Sequence, residues 1–430
     1  MSPRLVLLAV LSLTATGLVI GSALRDNRRS EALAAALALS RAAEVSPAPV
    51  STTPTPTTKT PKRTHAAVPT HAPVDTTTSG ATSAPAVDTT PTSGGTQKKP
   101  SSNTKPTTPS STSKVKHVFL IALTGPGYDA TFGQGAAAAP YLNQQLKAQG
   151  ELLSGYRALP GSDLPNYIAM ISGQPPNAQT TANCTTYSEF PSSAKTSKKG
   201  VVSGDGCVYP VDALTLADQL TSAGHSWKAY LEDMDAGGQP DTSCRHPVSG
   251  QADDTQQGRN GDEYAARHNP FVYFHSLLDL GDCATNDVPL SKLSADLASA
   301  KSTPNFSFIA PNLCHDGSEP TCADGTPGGL ATTDTDLSQL VPQILASPAY
   351  KKDGLLEIVF ASGPASDVSG LTGALLVSRF ITAGSTDPAD YDPYSLLRTN
   401  EDIFGLAHLA EADGAKVQSF GGGLITGAGD

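Results

Sequence analysis

The sequence predicts an α/β domain with a mostly parallel central sheet over residues 115–412, and two patterns point to it. Short, continuous apolar runs alternate with stretches of helical periodicity, as when strands buried on both faces alternate with the helices that cover them. A tract rich in Pro, Thr and Ser ends just before the first of these runs, so the folded part begins beyond that tract.

The elements can be justified in order. His117–Leu123 (HVFLIAL) reads as a buried strand, and Tyr141–Gln149 as the helix after it. Leu164–Ile171 reads as a short helix, with Pro165 in the first turn, where the missing N–H removes no helical bond. Leu214–Ala223 is helical in pattern and Trp227–Leu231 is a strand. Phe306–Ala310 is another strand, followed by a helix over Asp334–Leu345. Leu355–Phe360 and Ala374–Ser378 are strands, and Ser395–Ala410 is a closing helix. Sites in open α/β sheets form outside the carboxyl ends of the strands. Thr124, Asn312 and Ala361 are therefore the positions where function is expected.

The N-terminal part is organised differently. Arg4 precedes an apolar run, Leu5–Leu24, with the small residues Gly21-Ser22-Ala23 near its end, so residues 1–24 read as an export signal or a retained membrane anchor. A short helical, juxtamembrane segment is expected over 25–45. Residues 46–114 contain no Phe, Trp or Tyr and cannot bury enough apolar surface to offset chain entropy, so they read as a disordered stalk. Residues 413–430 read as a glycine-rich tail. The folded part is thus expected outside the cytoplasm, secreted or held to the membrane through residues 5–24. A net charge of −11 argues against nonspecific binding to nucleic acid.

Cysteine usage agrees with export. All six cysteines, Cys184, Cys207, Cys244, Cys283, Cys314 and Cys322, lie in the folded region. An even number in an exported chain implies disulfides. Sequential pairing is the simplest scheme, because it staples three polar, loop-rich stretches. No Cys-x-x-Cys pair supports a zinc or dithiol redox site.

Several segments resemble the phosphoesterase family that includes non-specific phospholipases C and bacterial acid phosphatases, within the alkaline phosphatase superfamily. They include His117-Val118-Phe119-Leu120-Ile121 running into Tyr128-Asp129-Ala130-Thr131-Phe132-Gly133, then Leu164-Pro165-Asn166-Tyr167-Ile168. Arg267-His268-Asn269-Pro270-Phe271, Pro311-Asn312-Leu313-Cys314 and Tyr394-Ser395-Leu396-Leu397-Arg398-Thr399 come next, in the family's order. The resemblance implies an alkaline-phosphatase-like three-layer sandwich. It also implies a mechanism in which carboxylates, an amide and histidines hold one or two metals while a hydroxyl attacks phosphorus.

The positions that would carry this mechanism depart from the family pattern. A Glu-Asn pair ends the family's first strand, where this chain has Thr124-Gly125. The nucleophilic Ser or Thr before Leu-Pro-Asn is Asp163, read here as a helix cap. After Pro311-Asn312-Leu313-Cys314 the aspartate is kept as Asp316, but the histidine slot is Ser318. The family's Asp-Glu pair is Ala361-Ser362, and the histidine before Tyr-Ser-Leu-Leu-Arg-Thr is Pro393. Ala, Gly and Pro side chains cannot coordinate a metal, and neutral hydroxyls are poor ligands. Asn166, His268, Asn269, Asn312 and Asp316, with Arg398, remain. Of these, Asn166, His268, Asn312 and Asp316 are the candidates to line a ligand pocket, the alternative being a structural role in fixing turns and buried backbone groups.

Two readings result. The first is a pseudoenzyme with no metal or other cofactor, binding an envelope or extracellular ligand. The second is a working phosphoesterase that rebuilds its site from Asp163, His268, His315 and Asp316, and only this one requires a divalent metal. The sequence shows no second cluster of acids and histidines, and His315 reads as a solvated loop residue. A different hydrolase on the same scaffold ranks below both, since no Gly-x-Ser-x-Gly elbow occurs.

Overall fold

The strand β1 (His117–Leu123) is buried along its whole length and organises the molecule. The architecture is that of a computed structural model describing residues 113–236, 242–363 and 369–421. The other strands are β2 (Glu151–Leu153), β3 (Trp227–Leu231), β4 (Asp287–Pro289), β5 (Phe306–Ala310), β6 (Gly354–Phe360), β7 (Ala374–Ser378) and β8 (Ser385–Asp387). They form one 8-stranded sheet in the order β4-β3-β5-β1-β6-β7-β2-β8. β1 pairs in parallel with both β5 and β6, Val118 facing Phe306 on one side and Leu355 on the other. β7 is antiparallel to both of its neighbours. Parallel pairing needs a long crossover, and no helix lies between Phe360 and Ala374 among the described residues.

Alternate residues of β1 feed two cores. Val118, Leu120 and Ala122 join Tyr167, Ile168, Leu396 and Leu397, from the Asp163–Ser172 and Pro393–Phe404 helices. Phe119, Ile121 and Leu123 join Leu142, Leu337, Val341 and Ile344 on the opposite face. Helices thus cover both faces, the three-layer arrangement expected. Each fully buried Leu, Ile or Phe contributes about 1.5–3 kcal/mol, so the central strands dominate the apolar stabilisation.

The long apolar runs form where the pattern placed them, and differences fall at ends and edges. The Leu330–Ala346 helix begins four residues before Asp334. Asp334 is not its start signal: its carboxylate accepts from the N–H groups of Tyr141 and Leu142, at 2.9 and 2.8 Å, and caps the neighbouring helix. The closing helix ends at Phe404, with Gly405 in the left-handed region at φ 69°. β2, β4 and β8 have three residues each and no extended apolar run. The packed part also continues past residue 412: Phe420 is buried against Tyr156 and Tyr391. The expected export or anchor segment over 1–24, the segment 25–45, the stalk up to 112 and the tail from 422 lie outside the described residues. No helix among the described residues is long and apolar enough to cross a membrane.

The disulfides are Cys184–Cys207, Cys244–Cys283 and Cys314–Cys322, the sequential pairing. Their sequence separations of 23, 39 and 8 residues keep each closed loop local.

Among the buried carboxyl groups, Glu357, Asp287 and Glu401 are raised furthest. Glu357 lies mid-strand in β6 with no exposure; one oxygen accepts from Asn400 Nδ2 at 3.0 Å and the other has no partner. Burial pushes Glu357 up to about 8. It pushes Asp287, beside Asn269, up to about 8 and Glu401 up to about 9. Each folded-state value lies above the unfolded one. The unfolded chain therefore releases these protons first, and stability falls as pH rises between about 4.5 and each raised value. The thermal midpoint should drop by several degrees from pH 5 to pH 9. Glu357→Gln should flatten that slope and melt above the parent at pH 8, as read by calorimetry. An unchanged slope in the variant would show that Glu357 does not carry a proton in the folded protein.

Candidate functional site at the carboxyl ends of the central strands

Thr124 follows β1, Ala361-Ser362 follows β6, and the Pro311–Ser318 loop follows β5, so one end of the sheet collects these residues. Asp163 comes to the same place on the first residue of the Asp163–Ser172 helix. It is not the cap: Ser162 holds the N-cap position without a side-chain bond, and Asn183 Oδ1 accepts from Leu164 N at 3.0 Å in the first turn. Its negative charge at a helix N-terminus is favourable, but its hydrogen bonds go elsewhere.

Ser362 Oγ donates to Asp163 Oδ1 at 2.6 Å, and Arg267 Nε donates to Oδ2 at 3.2 Å. His268 Nε2 stands 3.5 Å from the same oxygen, while its Nδ1 lies 3.7 Å from Asp316 Oδ2. The imidazole, 1% exposed, stacks on Tyr167 with centroids 5.0 Å apart. One row therefore runs from Ser362 through Asp163 and His268 to Asp316. Asp316 is fully buried and accepts from Ser318, by N–H at 2.8 Å and by Oγ at 2.8 and 3.1 Å. Burial works to raise Asp163, but His268, Ser362 and Arg267 outweigh it and hold the carboxyl well below the usual range. Asp316 goes the other way, raised by burial against the opposing pull of His268 and Ser318.

These values bear on chemistry. A general base works best with a pKa near the working pH, and Asp163 is far too weak a base. Asp316 is sealed from solvent and His268 stands between the two carboxylates.

Among the described residues, the family's ligand slots other than Asp316 do not hold ligand side chains. A Cβ on Gly125 would sit 2.9 Å from Phe360 Cδ1, so the slot of the family's amide ligand is filled by a ring. Gly317 has φ +103°, and a Cβ there would come 2.5 Å from the Thr124 carbonyl oxygen. The loop carrying Asp316 thus closes onto the end of β1, and Thr124 N donates to the Asp316 carbonyl at 2.9 Å. Thr124 Oγ1 and His268 Nδ1 are buried without hydrogen-bond partners, yet a lone hydroxyl and one ring nitrogen do not make a coordination set. Among the described residues, the groupings of three ligand atoms are Cys244, Cys283 and Asp287, and Glu263, Cys314 and Cys322. Each is built around a disulfide. The residues present do not fit a one- or two-metal phosphoesterase centre.

The remaining candidates divide. Asn166 accepts from Leu159 N at 2.7 Å and donates to the carbonyls of Leu159 and Ser162, so it fixes a turn. Pro393 opens the last helix behind the N-cap Asp392, and Arg398 donates to the Ala412 carbonyl at 2.8 Å. Asn312 faces a second polar cluster, donating to Asp233 Oδ2 at 2.8 Å and accepting from Cys314 N and His315 N. His315 is not a solvated loop residue. It pairs with Glu232 Oε1 at 2.9 Å, and chiefly through that bond its pKa rises to about 9. A second cluster of acids and histidine therefore exists, in Glu232, Asp233, His315 and Asp336, assembled from parts of the chain too distant to pair by inspection. Arg267 is the site residue that sequence reasoning misses. It stands inside a quoted motif, but its partner Asp163 is 104 residues away.

Charged side chains gathered at the carboxyl ends of a mostly parallel, helix-covered sheet define an α/β enzyme scaffold. The chain belongs to the Phosphoesterase family, whose model matches residues 135–407. It is 24% identical over 272 residues to a phosphate-repressible acid phosphatase of Penicillium chrysogenum, covering 63% of this chain and 55% of that protein. It is also 24% identical over 302 residues to a probable acid phosphatase of Kluyveromyces lactis, covering 70% and 60%. The chain thus spans less than two thirds of the length of these curated relatives. A Vibrio parahaemolyticus protein of the alkaline phosphatase superfamily superposes with TM-score 0.40 at 13% identity, covering 71% of this chain and 72% of that one. The phosphonate monoester hydrolase SpPMH from Silicibacter pomeroyi gives TM-score 0.41 at 12% identity, covering 71% and 76%.

Removing one partner of a buried ion pair strands the other charge. Asp163→Asn and Arg267→Met should each lower unfolding free energy by about 3–5 kcal/mol, and the double variant should recover most of that loss in a urea-denaturation cycle. Additive losses would show that the two side chains do not interact. Because the folded-state value of Asp163 is depressed, its contribution is present above about pH 4 and is lost as pH falls below it. The parent should show an acid-side decline that Asp163→Asn lacks.

Proposed function

We propose that this chain is an extracytoplasmic member of the Phosphoesterase family that does not hydrolyse phosphate esters and instead binds a ligand at the cell envelope. The observation that carries this reading is the fate of the nucleophile slot. It holds a carboxylate, and Arg267, His268 and Ser362 engage that carboxylate where an active enzyme needs a free hydroxyl and metal ligands. Uncatalysed phosphate-monoester hydrolysis requires accelerations approaching ~10²¹, and an ion-paired carboxylate in the nucleophile slot offers neither the attacking hydroxyl nor a competent base. Three disulfides support an oxidising compartment, as does the apolar N-terminal run. Anchoring through residues 5–24 and a stalk over 46–114 would hold the domain at the outer membrane surface.

The names of the two curated relatives favour a second reading, hydrolysis of phosphate esters through non-standard residues. One assay separates the two. The purified chain, verified as folded by a cooperative melt, is tested against aryl phosphate mono- and diesters with and without a panel of divalent metals. No turnover above buffer is expected under any condition. Metal-dependent turnover abolished by Asp163→Ala or Asp316→Ala would sink the inactive reading.

A further inference from the structure

Four large apolar side chains are exposed among the described residues: Val211 at 55%, Leu214 at 45%, Val248 at 70% and Leu280 at 72%. A single exposed apolar residue calls for no explanation. Three of these four, however, line one groove of about 1030 Å³, together with Ile403, Phe404 and Leu406. Ile403 and Phe404 are buried and form the floor, whereas Leu280 projects from the rim. The groove lies beside the ends of the Leu216–Ala223 and Pro393–Phe404 helices and contains none of the residues of the family site.

Its charges are one lysine and a pair of aspartates. Lys116 and His225 are neighbours: burial first, and then the Lys116 ammonium, lower the His225 pKa, and the imidazole tilts over Phe404 at 5.2 Å. Asp282 and Asp218 are also neighbours, since burial and then the Asp218 charge raise Asp282. Asp218 already accepts from Thr215 and Ser276, so Asp282 presents the freer carboxylate. Among the described residues no ion pair joins Lys116 to either aspartate. An occupant must therefore bring an apolar projection, an acid for Lys116 and a cation for Asp282. A second copy of the same face, turned about a two-fold axis, brings all three, as a self-complementary contact requires.

We propose that this groove is the self-association face of the protein. In the dimer each Leu280 enters the groove of the other copy, and Lys116 and His225 of one copy face Asp282 of the second. Exposed apolar surface is buried on both sides at once, and the paired charges fix the register.

Sedimentation equilibrium on the full chain, in one mild detergent throughout, tests this. The parent is expected to dimerise, Leu280→Asp to be monomeric at the same concentrations with an unchanged melt, and Val248→Asp, outside the groove, to dimerise as the parent does. Lys116→Glu and Asp282→Lys should each weaken association about tenfold, and the double reversal should restore it. A parent that stays monomeric overturns the proposal and leaves the groove to a different partner. A dimer indifferent to Leu280→Asp also overturns it, placing association on another surface. A double reversal no tighter than the single variants rules out the two-fold pairing.

Discussion

A sheet covered on both faces leaves polar side chains few places to go, and this constraint shapes the rest of the molecule. β1, β5 and β6 are buried from end to end. A charge along their length would face hydrocarbon on either side, at a cost of several kcal/mol unless paired or neutralised. Charged groups therefore collect where the strands stop. Glu357 in β6 and Asp287 in β4 are buried acids within strands, and their raised values, with their bonds to Asn400 and Asn269, show how they are tolerated: by remaining protonated.

The same constraint explains the form of the site. Once Asp163 occupies the nucleophile slot, a nearly buried carboxylate must find positive partners. Arg267 supplies the charge, His268 stands beside the same oxygen, and Asp316 closes the row from the other side. The Asp163 carboxylate is engaged from within the protein on both oxygens, while His268 Nδ1 stays without a hydrogen bond. The filled Gly125 slot and the close approach of Gly317 to Thr124 are steric counterparts of that closure.

How much of this is legible in the sequence depends on range. β1, β3, β5 and β7 have the bounds their apolar runs suggest, because a buried strand is a local signal. β2, β4 and β8 escape notice because strands of three residues are defined by their neighbours. Asp334 and Asp163 both look like start signals of the helices they sit in. Asp334 instead caps a different helix, and Asp163 serves an ion pair, since a carboxylate's partner is not encoded beside it. Arg267 with Asp163, and His315 with Glu232, join residues 104 and 83 positions apart. The gaps in the family motifs are legible, and the groups that fill them are not.

The disulfides give the site an unexpected dependence. Arg267 and His268 lie inside the loop closed by Cys244–Cys283, and Asp316 lies inside the loop closed by Cys314–Cys322. Thr124, Asp163 and Ser362 sit on strand ends and a helix that carry no covalent crosslink. The row of charges is thus a seam between a stapled part and an unstapled one. Its partners lie on loops that the disulfides close, one of them with a cysteine two residues from Asp316. The redox history of a given molecule, including the compartment in which it was made, decides how tightly that seam is drawn.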